Sequence, residues 1–108
     1  MDALFQEQID HLTEAHFLVL YWVATAEDKK NGYNITNCFD DLKAHGITRT
    51  KQTAVATVEA LHALRFLDIN GKGNRKHLYI TTYGARALEH LVLQSRYNPR
   101  KSITLESL

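Results

Sequence analysis

The chain has 108 residues, 44% of them apolar, and carries 13 cations against 12 acids for a net charge of +1. That length fits one domain of common size, roughly 100–150 residues, with an ordinary apolar core. No stretch nears the roughly 20 apolar residues of a membrane span, and an N-terminus bearing Asp2, Glu7 and Asp10 lacks the cations of a secretion signal. Cys38 is the only cysteine, which excludes an internal disulfide and a thiolate zinc cluster and fits a reducing cytoplasm.

Charge is unevenly spread. Residues 1–41 hold two cations against eight acids, a balance of −6. Residues 42–82 hold seven cations (Lys43, Arg49, Lys51, Arg65, Lys72, Arg75, Lys76) against Glu59 and Asp68, a balance of +5, and residues 83–108 add +2. A basic segment of that kind is the expected footprint of a nucleic-acid face.

In chain order, Asp2 to His11 fits a first helix with Leu4, Phe5, Ile9 and Leu12 on one side. Thr13 fits an N-cap, with Glu14 well placed against the helix dipole. The helix after it, about 14–27, is apolar around most of its girth and should be central and buried. Asn31-Gly32 breaks the chain, and Tyr33-Asn34-Ile35 fits a short edge strand. Thr36 or Asn37 then caps a helix of about 37–45, with Cys38 or Phe39 and Leu42 inward. Cys38 reads as a small buried hydrophobe, and Asp40-Asp41 as a surface pair. Gly46 ends that helix in the left-handed cap conformation.

Thr48 or Thr50 caps a long helix reaching Leu64, with Ala54, Val58, Leu61 and Leu64 at helical spacing. Phe66 to Asn70 has strand character. Gly71 to Lys76 is a glycine turn bearing three cations, and His77 to Thr81 alternates like a returning strand. Thr81 caps a last helix, about 82–95, with Ala85, Leu88, Leu91 and Val92 on one face. Residues 96–108, with the only proline (Pro99), read as a tail of weak order. The expected fold is α+β, mainly α: a winged helix-turn-helix with a two- or three-stranded wing and extra terminal helices. Residues 1–95 form the domain.

Two stretches resemble MarR- and PadR-like regulators. Val58-Glu59-Ala60-Leu61-His62-Ala63-Leu64-Arg65-Phe66-Leu67 is similar to that family's recognition helix running into the wing. Leu78-Tyr79-Ile80-Thr81-Thr82-Tyr83-Gly84 is similar to its strand exit. The likeness covers about residues 14–94. Arg65 departs from it, standing where the family has glycine or a small polar residue. The resemblance implies a DNA-binding transcriptional regulator.

The residues themselves point the same way. An α-helix fits the major groove, where base edges carry the sequence. Arg49 and Gln52 are expected to read bases, since Arg matches guanine and Gln matches adenine bidentately. Thr50, Lys51, Thr53 and Thr57 are expected beside them, mostly on the backbone. Lys72, Asn74, Arg75 and Lys76 are expected to meet phosphates from the wing. Half-sites come in pairs, so a homodimer is expected, formed by Leu4, Phe5, Ile9 and the last helix.

Glu7/His11, His11/Glu14 and Glu59/His62 share helix faces. They fall short of the four ligands of a zinc site within one chain, so no metal or other cofactor is expected. The sequence also lacks a phosphate-binding glycine loop and a nucleophile elbow, so it does not read as an enzyme. The rival readings are a winged-helix module for protein–protein contact and a plasmid or phage DNA-binding protein for replication.

Overall fold

The computed structural model describes residues 2–71 and 76–106. Their order is α1 (Ala3–Asp10), α2 (Glu14–Asp28), α3 (Ile35–Ala44), α4 (Lys51–Ala63), β1 (Leu67–Asn70), β2 (His77–Ile80), α5 (Thr82–Leu93) and α6 (Ile103–Glu106). None of these helices is long and apolar enough to cross a membrane.

The N-terminal region is two helices, broken at His11–Thr13. Thr13 is the cap of α2, as expected. Its partner in the reciprocal box is His16, whose Nδ1 accepts the Thr13 N–H at 3.0 Å. A ring nitrogen that accepts must be unprotonated, and burial lowers the His16 pKa in the same sense. Phe17, Leu18, Val19, Leu20, Trp22 and Val23 are all fully buried, so α2 is the central rod of the core. Phe5, Ile9 and Leu12 of the first segment join it, whereas Leu4 is 58% exposed.

Residues 33–35 do not form the expected strand. Asn34 caps α3 instead, accepting the Asn37 N–H at 2.8 Å, while the Asn37 side chain accepts the Asn34 N–H at 3.0 Å. The helix therefore starts earlier than the Thr36 or Asn37 cap expected from sequence. Tyr33 still supplies one rung: its carbonyl accepts the Leu78 N–H at 2.7 Å, beside a two-stranded antiparallel sheet. Leu67 pairs with Ile80, Asp68 with Tyr79, Ile69 with Leu78 and Asn70 with His77.

The ends of α3 and α4 use the same device. Gly46 takes φ +72° after α3, and the Ile47 N–H returns to the Leu42 carbonyl at 2.9 Å. Arg65 takes φ +66° after α4, and the Phe66 N–H returns to the Leu61 carbonyl at 2.9 Å. A side chain in that conformation costs about 1–2 kcal/mol, which glycine avoids. Arg65→Gly is therefore expected to raise the thermal midpoint by about 5 °C, for a net gain near 1 kcal/mol. An unchanged or lower midpoint in calorimetry would show that the arginine stem contributes packing outweighing the strain.

On α5, Gly84, Ala87 and Leu91 face the core. The expected face is shifted: Ala85 is exposed and Val92 is 48% exposed. Thr81 caps the helix as expected, accepting the Gly84 N–H at 2.8 Å.

Two expectations fail together. Residues 96–106 are not a loose tail, and Asp41 is not on the surface. The Arg100 carbonyl accepts the Trp22 indole N–H at 2.7 Å, the Tyr97 hydroxyl donates to the Leu12 carbonyl at 2.9 Å, and Leu105 is buried. Asp41 is fully buried beneath this segment. Its carboxylate accepts from the Tyr33 hydroxyl (2.5 Å), the Ser102 hydroxyl (2.6 Å), the Thr104 hydroxyl (2.9 Å) and the Thr104 N–H (3.1 Å). A buried charge persists only when it is hydrogen-bonded in this way. Asp40 is exposed, as expected.

Cys38, one turn before Asp41 on α3, is fully buried. Burial, followed by the Asp41 charge, pushes its thiol pKa up to about 12 from 9.0. Thiolate is the reactive form. Alkylation of the native thiol near neutral pH should be slower than in denaturant by about three orders of magnitude from ionisation alone. Equal rates in the two states would contradict the burial.

Candidate nucleic-acid interface

α3, the turn at His45–Thr50 and α4 form the two-helix unit expected from sequence. Thr48 is buried, with its hydroxyl donating to the Thr50 carbonyl at 3.3 Å. Thr50 is the cap of α4: its hydroxyl oxygen accepts the Thr53 N–H at 3.2 Å and lies 2.9 Å from the Thr53 hydroxyl. Capping thus occupies part of the hydrogen-bonding capacity of both threonines, although both side chains stay at the surface.

Arg49, Thr50, Lys51, Gln52 and Thr53 are all exposed, at and just before the first turn of α4. That turn contains no acid. Cations at a helix N-terminus oppose the helix dipole, whereas an anion there is stabilised by both dipole and cation. This end of α4 is therefore electrostatically unfavourable alone and favourable against a phosphate backbone. The first turn of α3 is also free of acids. Lys51 Nζ donates to the Thr36 hydroxyl at 3.1 Å, bringing the starts of the two helices together. Sequence reasoning missed Thr36 in this role because it placed the start of α3 two residues late.

Thr57 does not belong to the exposed set. It is 8% exposed, and its hydroxyl donates to the Thr53 carbonyl at 2.9 Å. The spacing could have shown this: Ala54, Thr57, Val58 and Leu61 form one inward stripe.

On the wing, Lys76 is exposed at the entry to β2. The other expected wing contacts, Lys72, Asn74 and Arg75, lie outside the described residues. β2 is held to the body from its far side. The Glu27 carboxylate accepts the Ile80 N–H at 2.9 Å, in addition to the Tyr33 rung. The hairpin also follows directly from α4, because Thr81 ties its exit to the helix end. The Thr81 hydroxyl donates to the Arg65 carbonyl at 2.6 Å, and its N–H to the Phe66 carbonyl at 3.2 Å. Among the described residues no group of three His, Cys, Asp or Glu side chains is placed to hold a metal ion.

Comparison with solved structures adds one result. TubR from Bacillus megaterium pBM400 superposes with a TM-score of 0.62 at 21% sequence identity, over 84% of this chain and 98% of that one. The fold is a winged helix-turn-helix. In that fold α4 occupies the position of the second helix of the helix-turn-helix and β1–β2 that of the wing. No family model matches the sequence, and no curated protein matches it.

Proposed function

We propose that this protein binds double-stranded DNA in a sequence-specific manner, as a small dimeric transcriptional regulator. The observation that carries the reading is the exposed, acid-free, cationic start of α4 at Arg49–Thr53, an arrangement that a purely structural helix avoids. In this reading Arg49 and Gln52 reach base edges. Thr50, Lys51 and Thr53 fix the helix on the backbone, and Lys76 works with Lys72, Asn74 and Arg75 on flanking phosphates. The motifs at 58–67 and 78–84 resemble MarR- and PadR-like regulators, while the likeness to TubR supports the alternative reading, a plasmid DNA-binding protein.

The dimer is part of the proposal. Phe5 and Ile9 fill the chain's own core, so they are not free to form an interface. Leu4, Val92 (48% exposed) and Leu93 (73% exposed) remain on α1 and α5, and a twofold contact through these helices would bring two recognition helices to adjacent half-sites.

Fluorescence anisotropy with duplex DNA tests the reading. Affinity should fall with salt by a log–log slope of about −0.9 for each phosphate neutralised. Lys72, Arg75 and Lys76 changed together to Ala should make the slope shallower by about 2–3, at similar cost on any sequence. Arg49→Ala with Gln52→Ala should instead erase the preference for selected sites, each base contact contributing about 1–3 kcal/mol. Absence of binding to random duplex at low salt would favour the rival reading, a winged-helix module meeting an acidic protein partner.

A further inference from the structure

The C-terminal segment grips the helix-turn-helix at its turn as well as on its first helix. Arg100 donates from its guanidinium to the His45 carbonyl at 3.2 Å and to the Glu14 carboxylate at 3.2 Å. His45 Nε2 donates to the Lys101 carbonyl at 2.7 Å, and its ring stacks on Trp22 with centroids 5.7 Å apart. Two residues on, Ser102 and Thr104 close on the buried carboxylate of Asp41, in the middle of α3. The Ser102 hydroxyl also accepts the Leu105 N–H at 3.1 Å, so α6 and the carboxylate contact are one unit.

α3 otherwise has a short lever to the proposed DNA face. Asp41 lies in the same helix as Thr36, and Thr36 holds Lys51. The turn at His45–Gly46 leads straight to Arg49. A segment fixed at Arg100, Lys101, Ser102 and Thr104 therefore holds α3 and the start of the turn, the side from which the link carrying Arg49 and Lys51 departs.

We propose that residues 97–106 are a positioning strap for the helix-turn-helix. Keyed on Asp41 through Ser102 and Thr104, and on His45 through Arg100 and Lys101, the strap sets the angle at which α4 meets DNA. The role rests on the DNA-binding reading above. It makes Ser102, Thr104 and Arg100 positioning residues, remote from the duplex, whose state is coupled to it. Coupling of this kind is reciprocal: if the seated strap raises DNA affinity, bound DNA must hold the strap more firmly.

The test uses the full chain with Ser102→Ala plus Thr104→Val, the hydroxyl-keeping Thr104→Ser, and Arg100→Gln as a milder, partly exposed second variant. Measurements are made at a temperature where calorimetry shows each variant folded. The expected result is faster amide exchange over residues 35–50 and a Kd for duplex DNA raised about tenfold in the double variant. Arg100→Gln should give a smaller change of the same sign, and Thr104→Ser should behave as the parent. In the parent, adding duplex should slow exchange at residues 100–105.

Unchanged Kd in folded variants whose exchange is faster would overturn the proposal, reducing the segment to a purely stabilising element. Duplex that leaves exchange at 100–105 untouched would overturn it as well. Failure of the parent to bind duplex at low salt would instead remove the DNA reading. Failure of the strap alone leaves parent binding, and the loss of site preference in Arg49→Ala with Gln52→Ala, intact.

Discussion

Gly84→Ala is expected to lower the thermal midpoint by about 10–20 °C, corresponding to a loss of about 3 kcal/mol. The sign is opposite to the ordinary one, since alanine inside a helix gains about 1 kcal/mol over glycine. The reason is the close approach of α5 to the end of α4. A Cβ at position 84 would collide with the Phe66 carbonyl oxygen and stand 2.8 Å from the carbonyl carbon. Both are backbone atoms and cannot swing aside. Relief requires α5 to draw back, which loosens the Thr81 bonds to Arg65 and Phe66 and opens the aromatic trio beneath. In that trio Phe5 and Tyr83 lie 4.6 Å apart between centroids, and Phe66 and Tyr83 lie 5.1 Å apart. Calorimetry giving Gly84→Ala the same midpoint as the parent would mean that α5 does not press against the Phe66 carbonyl.

The second large effect belongs to Asp41. Asp41→Ala should cost about 3 kcal/mol, because an unsatisfied buried donor costs about 1–3 kcal/mol. The Tyr33 hydroxyl and the Thr104 N–H both lose the carboxylate, while Ser102 and Thr104 keep the 3.0 Å contact between their hydroxyls. Asp40, the residue just before it, is exposed, and Asp40→Ala should fall within about 0.5 kcal/mol of the parent. Urea denaturation separates the two cases, with a lower midpoint and similar slope expected for Asp41→Ala alone. Equal midpoints for the two variants would remove the carboxylate from the centre of the C-terminal contact.

The contrast between these neighbouring acids shows where sequence reasoning stops. Features set by local chemistry were legible: the Thr13 and Thr81 caps, the left-handed Gly46, the continuous apolar girth of α2, and a hairpin announced by a short apolar run before the glycine turn and alternation after it. The exposed start of α4 belongs with them, because its polar run precedes a regular apolar stripe. What the sequence did not show depends on partners far along the chain. Nothing beside Asp41 says that Ser102 and Thr104 will reach it from more than sixty residues away. The polar composition of 96–102 reads as solvated until Arg100 is seen sharing its guanidinium between Glu14 and His45. Asn34 was passed over as a cap because Tyr33 and Ile35 beside it look like strand residues. The strand reading holds in part for Tyr33 alone, whose carbonyl bonds to β2, whereas Ile35 opens α3. Thr57 was misplaced although its spacing with Ala54, Val58 and Leu61 marks it as inward; its hydroxyl was taken as a surface group, yet it can turn inward when a carbonyl four residues back accepts its proton.

Trp22 is the only tryptophan in the chain, and its ring nitrogen is bonded to the Arg100 carbonyl. The molecule therefore carries its own dye at the joint between core and C-terminus. Ultraviolet emission of the unlabelled protein reports that joint directly, so its opening can be compared with melting of the helices in one cuvette.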